Sequence, residues 1–101
     1  MNFYEFNKYE YYGLILAINE EEAKKGYMKQ IADIDGEEET LNPDIITEKE
    51  ALERYKSGDI EECNTVEEKI KDFYKTVKNF KEYTSKGEEP YIVLLIDGDL
   101  L

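Results

Sequence analysis

Two apolar runs dominate what this chain can fold into. Tyr11-Tyr12-Gly13-Leu14-Ile15-Leu16-Ala17-Ile18 lies near one end, and Tyr91-Ile92-Val93-Leu94-Leu95-Ile96 near the other. In a chain whose residues are 38% charged, these runs are the main source of continuous apolar surface. Both are short, bounded and rich in β-branched and aromatic residues. That suits strands that are central or covered on both faces. The two runs are therefore expected to meet in one sheet. A weaker strand, Phe3-Tyr4-Glu5-Phe6, is expected before the first run. Ile45-Ile46 is expected to form a short strand after the turn at Asn42-Pro43-Asp44.

Three helices are marked by their N-termini. Asn19-x-x-Glu22, Thr47-x-x-Glu50 and Thr65-x-x-Glu68 share the capping-box spacing. In that motif the cap side chain accepts from a first-turn N–H and the Glu reaches back to the cap's own N–H. The first helix is predicted from about Glu20 to Ala32, with Ala23, Tyr27 and Ile31 on one face. The second is predicted to end at Ser57, with Gly58 as a left-handed C-cap. The third, Val66 to about Thr84, carries the stripe Val66, Ile70, Phe73, Tyr74, Val77 and Phe80. Packed on the sheet, that stripe would cover the apolar runs. The expected fold is α+β: a three- to four-stranded sheet with three helices, in the order β-β-α-β-α-α-β.

With 101 residues, the chain reads as a single domain over 1–101. Its core is small, so a surface groove or flat face suits it better than a deep cavity. A short echo links Ile18-Asn19-Glu-Glu-Glu-Ala23-x3-Tyr27 with Ile46-Thr47-Glu-Lys-Glu-Ala51-x3-Tyr55. It reads as either a duplicated strand–helix unit or two solutions to one capping problem, and the second is preferred.

Charge narrows the function. There are 13 Lys+Arg against 25 Asp+Glu, a net −12. Direct binding to nucleic acid or to an anionic membrane is disfavoured, since both need clustered Lys and Arg. A basic partner would instead be steered toward the chain. The charge is uneven: Glu20 to Glu62 holds 15 acidic and 6 basic residues, whereas Asn64 to Lys86 holds 4 acidic and 6 basic. Lys71, Lys75 and Lys78 should form a solvated face of the third helix. Arg54 is the sole arginine. No apolar run approaches the ~20 residues of a membrane span. The segment Met1-Asn2-Phe3-Tyr4-Glu5 lacks the basic flank and apolar stretch of a signal peptide. The one cysteine, Cys63, has no internal partner, so a cytoplasmic location is expected.

Catalysis is not expected. The chain has no histidine, which removes the usual general base and the commonest zinc ligand. Cys63 sits after Glu61-Glu62, where neighbouring carboxylates disfavour a thiolate. No phosphate-cradling glycine loop appears. Asp33-Ile34-Asp35-Gly36-Glu37-Glu38-Glu39 invites a calcium reading. Aligning Gly36 with the EF-hand turn, however, puts Ile31 and Asn42 at the two end ligand positions, and neither end fits. Asp97-Gly98-Asp99 reads as a turn. No catalytic, cofactor or metal residue is assigned.

Nine tyrosines are many for this length. Tyr27, Tyr55 and Tyr74 are expected in the core. Tyr9 and Tyr11 stand as interface anchors, since tyrosine is a common hot-spot residue. With them, the acidic residues Asp33, Asp35, Glu37, Glu38, Glu39, Asp59, Glu61 and Glu62 form the candidate partner-binding set.

Tyr12, Leu14-Ile15-Leu16-Ala17, Asn19-Glu-Glu-Glu-Ala23, Tyr27 and Leu95-Ile96-Asp97-Gly98 together resemble small acidic open reading frames of phages and mobile elements in low-G+C Gram-positive bacteria. That class includes anti-CRISPR and anti-restriction proteins, some of which occupy the nucleic-acid groove of the enzyme they inhibit. The resemblance implies a non-catalytic inhibitor that works without a cofactor in the host cytoplasm. Its partner would be a basic protein surface, with a CRISPR nuclease the first choice. The alternative is an accessory or regulatory interaction module, homodimeric in one version, unrelated to nucleic-acid mimicry.

Overall fold

The computed structural model describes residues 1–7, 11–32, 41–58, 64–85, 87 and 90–96. Its strands are β1 (Asn2–Phe6), β2 (Gly13–Ala17), β3 (Asp44–Ile46) and β4 (Tyr91–Ile96). Its helices are α1 (Glu20–Tyr27), α2 (Glu48–Ser57) and α3 (Val66–Ser85). The chain order is β1-β2-α1-β3-α2-α3-β4, the α+β arrangement expected from the sequence. The two apolar runs do meet: the sheet order is β3-β1-β2-β4, with every pair antiparallel.

Register explains why the central strands lack polar alternation. Phe3 lies opposite Leu16 and Ile46, while Tyr4 lies opposite Ile15 and Ile45. Neighbouring residues of a strand face opposite ways, so both faces of the sheet are apolar, and helices cover both. On one side Phe3, Leu14, Leu16, Leu94 and Leu95 pack with Ala51 and Tyr55 of α2 and with Phe73, Val77 and Phe80 of α3. On the other, Tyr4, Phe6, Ile15 and Ala17 pack with Ala23, Tyr27, Met28 and Leu41. A bulge adjusts the pattern in β4. Leu14 faces Leu95 but Ile15 faces Val93, so Leu94 is an extra residue. The bulge lets both Leu94 and Leu95 enter the α2/α3 layer.

Two glycines permit close approach. A Cβ on Gly13 would lie 2.6 Å from Ile31 Cδ1 and 3.0 Å from Tyr27 Cδ1. Beside it the Tyr27 ring stacks on Phe6 at a 4.3 Å centroid separation. A Cβ on Gly26 would lie 2.6 Å from the Tyr91 ring, which brings α1 against β4.

The helix predictions need four corrections. First, the predicted helix from Glu20 to Ala32 is α-helical only to Tyr27 and then continues as a π-helical segment, Met28–Ala32. Through this segment Tyr27 and Ile31 both reach Gly13. Second, Gly58 is not a left-handed cap but extended, with φ −82° and ψ 163°. Lys69 of α3 serves the end of α2 instead, its Nζ donating to the Gly58 carbonyl at 2.7 Å and the Lys56 carbonyl at 3.3 Å. A cation belongs at a helix C-terminus on electrostatic grounds.

Third, the capping box is complete only at Thr47 among the three predicted caps. The Thr47 hydroxyl accepts from the Glu50 N–H, and the Glu50 carboxylate accepts from the Thr47 N–H, both at 3.1 Å. Asn19 accepts from the Glu22 N–H at 2.9 Å, but the Glu22 carboxylate pairs with Lys25 at 3.4 Å. Thr65 accepts from the Glu68 N–H at 3.1 Å, while Glu68 accepts from the N–H of Asn64, one residue early, at 3.5 Å. Fourth, the buried stripe of α3 is narrower than predicted: Phe73, Val77 and Phe80 are buried, but Val66 and Tyr74 are half exposed. Val66 opens the helix and lies away from the core cluster. Tyr74 sits one step around the helix from Phe73, which it meets edge-on at 5.5 Å. Tyr27 and Tyr55 are buried as expected. The echoing units do share their inward Ala and Tyr, but these pack on opposite faces of the sheet.

Candidate interaction surface

Tyr11 is the one predicted contact residue within the described segments. It precedes β2 and is 41% exposed. Its backbone is pinned from inside, because the buried Tyr27 hydroxyl donates to the Tyr11 carbonyl at 2.6 Å. The ring is thus presented outward from a fixed backbone, a useful property for an anchor. Tyr9, Asp33, Asp35, Glu37, Glu38, Glu39, Asp59, Glu61 and Glu62 lie outside the described residues. So do Cys63, the Asp33–Glu39 calcium reading and the Asp97–Asp99 turn.

A polar cluster lies near Tyr11, at the same end of the sheet. In β1, Glu5 shares the inward face of Phe3 and is only 3% exposed, the one buried charged residue among those described. Arg54 of α2 donates through Nε to Glu5 Oε2 at 2.7 Å. The Tyr12 hydroxyl donates to the same oxygen at 2.6 Å, and Asn7 Nδ2 donates to Oε1 at 3.1 Å. Burial, with the hydrogen bond to the carboxylate and its charge, pushes the Tyr12 phenol well above its usual range. The hydrogen bond and charge of Glu5 likewise raise the Arg54 guanidinium. The lone arginine therefore holds α2 to the sheet and neutralises a buried carboxylate. Sequence reasoning counted Arg54 but gave it no role. The available signal was the alternation of β1, which puts Glu5 on the same face as Phe3.

Among the described residues, most other acids are exposed. In the first turn of α1 the Glu21 side chain is 74% exposed and that of Glu20 49%. In α2, Glu48, Glu50 and Glu53 are exposed. The hydrogen bond from the Thr47 N–H, followed by that from its hydroxyl, holds the Glu50 carboxyl below its usual value, so it stays charged. On α3, Lys71, Lys75, Lys78 and Lys81 are exposed, consistent with the solvated face expected there. An open hollow of about 580 Å³ lies where α3 passes the start of α2, lined by Glu48, Tyr74, Val77, Lys78, Lys81, Glu82 and Ser85. A smaller one of about 250 Å³ lies between α3 and β4. Neither gathers a metal-binding set, and no cluster of three or more metal-ligating side chains occurs among the described residues. None of the described helices is long and apolar enough to cross a membrane.

This architecture, a four-stranded antiparallel sheet between one helix and two, defines a small α+β domain whose outward chemistry is charge and tyrosine. The chain belongs to the YosH C-terminal domain family, whose model matches residues 1–94. That membership is consistent with a small protein of the mobile-element type. None of the curated proteins and none of the solved structures compared with the chain matches it.

Proposed function

We propose that this protein is a non-catalytic inhibitor that binds a basic, nucleic-acid-handling enzyme of the host's defence, in the manner of an anti-CRISPR protein. The observation that supports this most is where the charge sits. The chain carries a net −12, and only one charged side chain among those described is buried. The first turns of α1 and α2 expose acids, and most of the net charge is carried by sequence outside the described residues, above all from Asp33 to Glu39 and from Asp59 to Glu62. A channel built for a polyanion presents Lys and Arg, and such a surface would substitute for the phosphates. Tyr11, fixed at its backbone and exposed in its ring, would supply an apolar anchor beside the charges, with Tyr9 two residues before it in sequence.

Affinity capture from a lysate of a low-G+C Gram-positive bacterium, with and without heparin, tests this reading. The expected result is a nucleic-acid-processing enzyme that heparin displaces and whose cleavage activity the purified protein blocks. Capture that heparin leaves untouched, with no loss of nuclease activity, would count against it and favour the accessory-module reading.

A further inference from the structure

The sheet has two edges, and they are built differently. β3 is three residues long, follows Pro43 and carries Asp44. Shortness, charge and proline are the usual devices that keep an edge from recruiting another strand. β4 has six residues, Tyr91–Ile96, with neither charge nor proline. No strand borders its outer side among the described residues. The Pro90 carbonyl accepts from the Ile18 N–H at 3.0 Å. Alternate residues therefore turn their backbone groups toward β2, and those between, Tyr91 and Val93, turn theirs outward.

One flank of α3 runs beside this edge. Thr76, Asn79, Phe80 and Tyr83 recur at the three- and four-residue spacing of a single helical stripe. Together with Ile92 they line the smaller hollow, and none is charged. The opposite flank differs, with Lys78, Lys81 and Glu82 facing Glu48. We infer that the uncharged strip is a homodimer interface. β4 of a second copy pairs antiparallel with β4 across a two-fold axis, joining the sheets, and the two α3 stripes close over the seam.

Charge selects this occupant. Two copies at −12 each repel, and least across a strip that carries no charge of its own. A basic partner, the kind that net charge attracts, gains nothing from docking there. An antiparallel strand pair is also self-complementary, as a two-fold interface must be. Tyr83, 48% exposed, is a large ring with surface to bury. Because like charges oppose the dimer, salt should tighten it. That is the opposite of what salt does to an acidic face on a basic channel.

Sedimentation velocity of the full chain, over a range of protein concentrations at low and high salt, tests the inference. Amide hydrogen exchange read at Tyr91 and Val93 accompanies it. The expected result is a reversible dimer that tightens with salt and protects both amides. Tyr83→Glu should raise its dissociation constant about tenfold or more, the scale of losing an interface anchor, with the circular dichroism spectrum unchanged. Lys78→Gln, on the other flank, should leave the dissociation constant as it is. A monomer at every concentration and salt would overturn the inference. So would a dimer indifferent to Tyr83→Glu, or one whose Tyr91 and Val93 amides exchange as fast as in the monomer. No host partner enters the experiment, so its outcome is independent of the inhibitor reading.

Discussion

Glu5 is the residue on which the local electrostatics turn. Its carboxylate is buried, and Arg54, Tyr12 and Asn7 satisfy it. Removing the cation leaves a charge in a place that solvates it poorly. Arg54→Met should therefore cost roughly 2–3 kcal/mol in chemical denaturation. Adding Glu5→Gln to that variant should recover part of the loss, because no buried charge then remains. Tyr12 adds a pH dependence. Unfolded, its phenol ionises near pH ~10, and in the fold it holds its proton to higher pH. Its contribution is thus fully present below about pH 10 and is lost as the pH climbs beyond it. The alkaline decline in stability should be shallower in Tyr12→Phe than in the wild type, whatever the offset between them. Phe73 is the corresponding apolar case. It is fully buried, with its ring 5.9 Å from Phe3 and 5.5 Å from Tyr55. Phe73→Ala should cost about 3 kcal/mol or more; a loss under ~1 kcal/mol would place the ring outside the core.

Elements were legible where local sequence decides them, and less so where a distant residue does. All four strands sit where the apolar runs and turns placed them, because β-branched runs between breakers leave few alternatives. The first strand residues did not follow: Tyr11 and Tyr12 belong to the approach to β2, pinned by Tyr27 and Glu5 from other elements. The Thr47 cap was readable within four residues, whereas the end of α2 was not. Its carbonyls are served by Lys69, more than ten residues on, and no spacing rule announces such a partner. Lys69→Ala should destabilise by about 1 kcal/mol, and the loss should shrink in high salt, as a helix-terminus charge requires. The tyrosines show the same limit. Tyr27 and Tyr55 went inward because each lies four residues after an inward alanine. Tyr74 shares the α3 stripe but falls at its margin, where the sheet no longer covers it.

At the scale of the whole molecule, three layers bury the apolar runs from both sides, and nearly all described charge is left outside. The surface is then divided. Acids lead in the first turns of α1 and α2, lysines mark one flank of α3, and an uncharged strip follows the other flank and β4. Such a division allows two kinds of contact with opposite responses to salt. The proposed function requires that the acidic sequence bind a basic channel. It is tested most directly by the association rate with the captured enzyme, measured by stopped flow from low to high salt for the wild type and for Glu37, Glu38 and Glu39 all changed to Lys. The wild-type rate is expected to fall steeply as salt rises, the triple variant to associate more slowly at low salt, and dissociation to change less than association. A rate flat in salt, with the triple variant binding as the wild type does, would contradict it.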